Sequence, residues 1–96
     1  LFFSCTGDCP ERIYHCRCEL HDDWDRWVFT EPRVLLSPEK VWEGSDLQPK
    51  PSLVGTATSR LCELRDPGIF AEEGEVYILY SGAGEAAIGI ARLEGA

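Results

Sequence analysis

The sequence predicts an all-β protein, and three observations carry the prediction. In its last third, short apolar runs at 69–72, 75–81 and 87–93 alternate with turns at Glu73-Gly74 and 82–86. No segment keeps a helical period, and the chain's nine glycines disfavour one. At the other end, residues 1–5 are apolar and aromatic, and the run from Arg12 to Leu20 carries an imperfect two-residue alternation. Thr6-Gly7-Asp8-Cys9-Pro10 between them is turn material, so these two segments predict a hairpin.

The middle of the chain is less regular. His21 to Trp27 is a polar turn carrying two indoles, Trp24 and Trp27. Val28-Phe29-Thr30 and Arg33 to Leu36 read as an outer strand interrupted by Pro32, and proline inside a strand points to a sheet edge. Residues 38–63 hold Trp42-Glu43-Gly44 and few regular patterns, which predicts a long functional loop. Arg65-Asp66-Pro67 then opens the next apolar run. Proline is tolerated at the first residue of a strand, so Asp66 is expected at a strand mouth with its carboxylate free to point into a cleft.

A chain of 96 residues suffices for one small domain, and 44% hydrophobic residues argue against disorder. It contains no methionine and opens on Leu1-Phe2-Phe3, which predicts a fragment of a longer reading frame. Seventeen acidic against nine basic residues give a formal charge of −8, a poor match to a polyanion, so nucleic acid is not expected as a partner. Nor is a membrane, because no apolar run is long enough for a spanning helix.

The five cysteines, Cys5, Cys9, Cys16, Cys18 and Cys62, admit three readings: core thiols, a disulfide or a metal site. Core thiols in a reducing compartment are favoured, since the spacings are not those of paired zinc knuckles. No metal or other cofactor is therefore expected. His15 and His21 have no partner motif, and no Ser-His-Asp order or phosphate-cradling glycine loop is present.

An internal repeat adds to the β reading. An offset of 75 residues sets Ile13 on Ile88, Gly7 on Gly82, Arg17 on Arg92 and Glu19 on Glu94, and lays Leu1-Phe2-Phe3 over Val76-Tyr77-Ile78. Two hairpins of one design are expected to recur, separated by an outer strand and a long loop.

Through "GDCPERI", "DDWDRW", "VWEGSDL" and above all "LRDPGIFAEEGEVYILYSGAGEAAIGIARLEG", the chain resembles the five-bladed β-propeller glycoside hydrolases. That superfamily includes the arabinanase and xylosidase, fructosidase and mannoside phosphorylase types. The resemblance implies two consecutive antiparallel blades: residues 1–37 end one blade, 38–63 form a long loop and 64–96 begin the next. Trp24 and Trp27 would then pack between blades.

The same resemblance implies a carbohydrate substrate. Glycoside hydrolysis needs one carboxyl to protonate the leaving oxygen and one carboxylate to activate water or attack. Asp66 takes the role of a catalytic carboxylate, with Arg65 beside it holding it ionised. Glu85, at a glycine-flanked turn, is the second catalytic candidate. For substrate binding, Trp42 is expected to stack on a sugar ring while Glu43 hydrogen-bonds a hydroxyl, and Glu11 and Arg12 line the same funnel. The early blade expected to carry the base is absent from these residues, so the fragment alone is expected to be inactive. Two alternatives stand beside the enzyme: a non-catalytic glycan-binding module, and a β module that self-associates through open blade edges.

Overall fold

The computed structural model describes residues 1–94 and is all-β, with two three-stranded antiparallel sheets. The first comprises β1 (Phe2–Ser4), β2 (Ile13–His15) and β3 (Arg33–Leu36), in that order. The second comprises β4 (Leu64–Glu72), β5 (Glu75–Gly82) and β6 (Ala87–Leu93), also in chain order. Each sheet is a meander of sequential neighbours, and neither closes on itself. Short 3₁₀ turns at Trp24–Arg26 and Val41–Glu43 are the only helical segments among the described residues. Of the segment expected to run over 64–96, the last two residues lie outside the described part.

The hairpin expected at the N-terminus is present: Phe2 pairs with His15 and Ser4 with Ile13. The three strands of the last third are present as well, with tight turns at Glu73-Gly74 and 83–86. Glu73 and Gly74 both take positive φ, at 51° and 79°, and the acid-glycine pair supplies the backbone freedom this two-residue turn requires.

The core lies between the sheets. Ile13 from the first meets Leu64, Ile78 and Tyr80 from the second, with Phe2, Leu35, Leu36, Ala91 and Leu93 around them. One main-chain bond also crosses, the Leu64 N–H donating to the Glu11 carbonyl at 2.9 Å.

Three expectations need correction. Pro67 does not open its strand: β4 begins at Leu64, and Asp66-Pro67 form a bulge between the paired residues Arg65 and Gly68. A bulge excuses proline from ladder bonding as well as a strand end does. Trp24 and Trp27 do not pack between sheets. Trp24 is 74% exposed, and Trp27 donates its indole N–H to the His21 carbonyl.

The third correction concerns the repeat, whose ungapped offset fails in register. Phe2 pairs with His15, whereas Tyr77 pairs with Arg92 rather than with Ile90. Ile13 is fully buried while Ile88 is 81% exposed. Because side chains alternate faces, matching identical residues placed an inward position on an outward one. The two hairpins share a design at an offset of 76, one residue from the identity match: Phe2 and His15 then fall on Ile78 and Ala91, which do pair.

The cysteines divide. Cys16 and Cys62 are buried, as core thiols should be, while Cys5 and Cys9 lie exposed on the β1–β2 loop.

Candidate functional site

The chain's most concentrated buried charge sits where the sheets meet the long loop. Glu63, Leu64 and Arg65 enter β4 in alternation. Leu64 turns into the inter-sheet core, and the charged residues on either side of it share the opposite face. Glu63 and Arg65 are 4% and 7% exposed, and Glu11, approaching β2, is 2% exposed.

Arg65 is fully engaged. Its Nη2 donates to Glu11 Oε1 and to the Leu53 carbonyl, each at 3.1 Å, and its Nη1 donates to the Gly55 carbonyl at 3.1 Å. The other oxygen of Glu11 accepts from Ser4 Oγ at 2.6 Å. Glu63 Oε2 lies 3.9 Å from Arg65 Nε, is shielded from solvent and has no hydrogen-bond partner among the described residues. Burial, opposed by Arg65 but reinforced by Glu11 and Glu85, pushes the Glu63 carboxyl above the usual carboxylate range.

These residues bound a cavity of about 340 Å³. Glu63 and Arg65 line one side, and the loop from Gln48 to Ser59, together with Leu61 and Cys62, forms the rest. The loop is strapped down at several points. The Gly7 N–H donates to Ser52 Oγ, and the Ser52 N–H donates to the Asp8 carbonyl. Arg65 holds Leu53 and Gly55. Glu85, in the β5–β6 turn, accepts the Ala57 N–H through Oε2 at 2.6 Å. The expected long loop is thus irregular but anchored, and it roofs a cavity of mixed polar and apolar lining.

The sequence-predicted residues fall into three groups. Arg65 lines the cavity, while Glu11 and Glu85 position its walls. Asp66 is exposed at the bulge with φ 52°, the left-handed region that aspartate tolerates better than most residues, and it does not line the cavity. The expectation that Arg65 serves Asp66 is corrected, because its guanidinium points to Glu11 and two loop carbonyls. Arg12 folds back on its own turn, donating to the Pro10 and Cys9 carbonyls.

Trp42 and Glu43 form a separate cluster. Glu43 Oε2 accepts from the Tyr80 hydroxyl at 2.7 Å, and Oε1 accepts from the Glu39 and Lys40 N–H groups. Trp42 stacks on Tyr80, with ring centroids 6.2 Å apart, and covers Gly82 and Gly89. Both side chains help hold the loop on the second sheet; Glu43 has both oxygens engaged, while Trp42 stays 44% exposed.

Sequence reasoning missed Glu63. The available signal was the alternation Glu63-Leu64-Arg65, which on a strand puts the two charges on one face.

Comparison with known proteins adds a relationship to set beside this geometry. The chain is similar to a viral protein. It is 40% identical over 88 residues to "Uncharacterized protein R118" of Acanthamoeba polyphaga mimivirus, an alignment covering 91% of this chain and 25% of that protein. The chain thus spans about a quarter of the length of the curated relative it matches. No protein-family model matches the chain, and no solved structure does.

Proposed function

We propose that this chain is a piece of a carbohydrate-active β-propeller protein, glycoside hydrolase-like, whose two sheets are consecutive blades. Two sequential meanders packed face to face support the blade reading, since propellers are built of such sheets. One observation carries the site. A cavity roofed by an anchored loop has on its wall a buried carboxyl without a hydrogen-bond partner among the described residues, beside an arginine already neutralised by Glu11. Polyhydroxylated ligands suit such a site, because a hydroxyl both donates and accepts and so satisfies groups that the fold leaves unpaired.

Asp66 and Glu85 keep their places in this proposal as the catalytic carboxylates of the larger protein. Asp66 stands next in sequence to the cavity wall, and Glu85 fixes the roof at Ala57.

Calorimetry with arabinose, xylose, fructose and mannose and their oligosaccharides, followed by assays on the matching aryl glycosides, tests the proposal. Binding is expected. In the full-length protein, turnover that D66N or E85Q abolishes identifies the enzyme, and binding without turnover identifies a glycan-binding module. No binding by any of these sugars contradicts the proposal.

One observation favours self-association as a second reading. Ile88 and Ile90 are 81% and 62% exposed on β6, whose outer edge is unpaired among the described residues. Sedimentation that shows concentration-dependent assembly, abolished by I88E, supports this reading, and a monomer at all concentrations removes it.

A further inference from the structure

The cluster on the cavity wall has a charge problem. Two carboxyl groups, Glu11 and Glu63, share one buried cation, and Glu11 has the better claim. It receives an arginine N–H at 3.1 Å and a serine hydroxyl at 2.6 Å, whereas Glu63 receives no hydrogen bond and lies 3.9 Å from the guanidinium. Were all three groups ionised, a net negative charge would be held on buried side chains, and the least supported carboxylate relieves it by taking up a proton. The other charged groups nearby do not reverse this. Glu85 adds negative charge, and Lys50 stands on the loop side of the cavity lining.

We infer that Glu63 is the ligand-reading group of the cavity, a neutral carboxyl that donates its O–H to an acceptor oxygen of a polyhydroxylated ligand. The inference rests on the carbohydrate reading above and adds to it the residue and the protonation state. A neutral carboxyl supplies a donor and an acceptor together, which matches the vicinal hydroxyls of a sugar. Ionised, it would have only acceptors and would repel the negative end of every ligand dipole it now attracts. Burial of Glu63 beside Arg65 lowers the local dielectric, which makes a hydrogen bond there stronger than in water.

The test is sugar binding by the whole chain as a function of pH, with three proteins compared: wild type, E63Q and E63L. The probe is whichever of arabinose, xylose, fructose or mannose binds best at about pH 4, just under the ordinary glutamic acid value. Wild-type affinity is expected to fall on the order of tenfold per pH unit once Glu63 ionises. E63Q keeps a donor and an acceptor without a titratable proton, so its affinity is expected to be flat across the range. E63L is expected to lose binding at every pH while retaining a cooperative melt.

Binding that survives in E63L, or wild-type binding as flat as that of E63Q, overturns this inference and leaves the carbohydrate reading standing. The absence of binding by any sugar at about pH 4 overturns both. A carboxyl-carbon titration by NMR provides a check without ligand. Glu63 is expected to titrate above the ordinary glutamic acid value, and a Glu63 that titrates at that value also overturns the inference.

Discussion

Replacing Arg65 by methionine tests the buried cluster most severely, because methionine keeps the length of the stem and removes only the charge and its donors. In the native protein, one guanidinium satisfies Glu11 Oε1 and the carbonyls of Leu53 and Gly55, all at 3.1 Å. R65M leaves the Glu11 carboxylate buried with Ser4 as its remaining donor. Breaking a buried pair by removing one partner costs about 3–5 kcal/mol, and the two abandoned carbonyls fall within that figure rather than adding to it. Small domains hold about 5–15 kcal/mol in total, so a loss of about 4 kcal/mol removes much of the stability. At roughly 5 °C per kcal/mol for a chain of this size, Tm should drop by about 20 °C.

Thermal and urea melts followed by tryptophan fluorescence measure the loss. The double variant E11Q/R65M removes both charges and is expected to recover about half of it, since a neutral amide is far cheaper to bury than an unpaired carboxylate. An R65M variant within about 1 kcal/mol of wild type would refute the reasoning. So would a double variant no more stable than R65M.

Three other outcomes follow from named contacts. At Gly89, an added methyl would stand 2.5 Å from Tyr80 Cζ and 2.6 Å from Trp42 Cη2, so G89A is expected to cost about 1–3 kcal/mol, while G68A, with nothing within 4 Å, serves as its control in the same melts. Tyr80→Phe leaves Glu43 Oε2 without its 2.7 Å donor and is expected to destabilise by about 1–3 kcal/mol; its urea midpoint should move while its slope does not. Burial raises the Glu63 pKa above its unfolded value, so the stability that group contributes is complete below the ordinary glutamic acid range and drains away as pH rises through the folded value. Accordingly, E63Q should gain on wild type in urea melts as pH climbs from acid toward neutral, and equal stability at both ends would contradict the shift.

Much of the fold was legible because the strands of the last third are bounded by turn residues with a mechanism. Glu73-Gly74 needs positive φ and takes it, so the β4–β5 hairpin falls where the residues place it. The start of β4 was not legible. Proline 67 marks either a strand opening or a bulge, and only the pairing of Arg65 with Ser81 on its far side decides between them. The repeat misled for a related reason, since identity at a fixed offset ignores which face a residue occupies, and Ile13 and Ile88 occupy opposite ones.

At the candidate site, Glu11 and Arg65 were found, but their pairing was not. The partner that sequence offers Arg65 is its neighbour Asp66, whereas the partner geometry offers is a glutamate 54 residues away. Trp42 and Glu43 carry the chemistry of a sugar site, yet the fold uses both to fasten a loop, and nothing in a local motif distinguishes the two uses. Glu63 belongs to no motif at all.

The most direct test of the central claim is a sugar titration of the isotope-labelled chain, read at each backbone amide. If the strapped cavity is the carbohydrate site, the shifts will concentrate on Leu53 to Ala57 and on Glu63 and Arg65. Shifts confined to β6, or to the exposed Trp24 and Trp27, would place the ligand elsewhere and contradict the account.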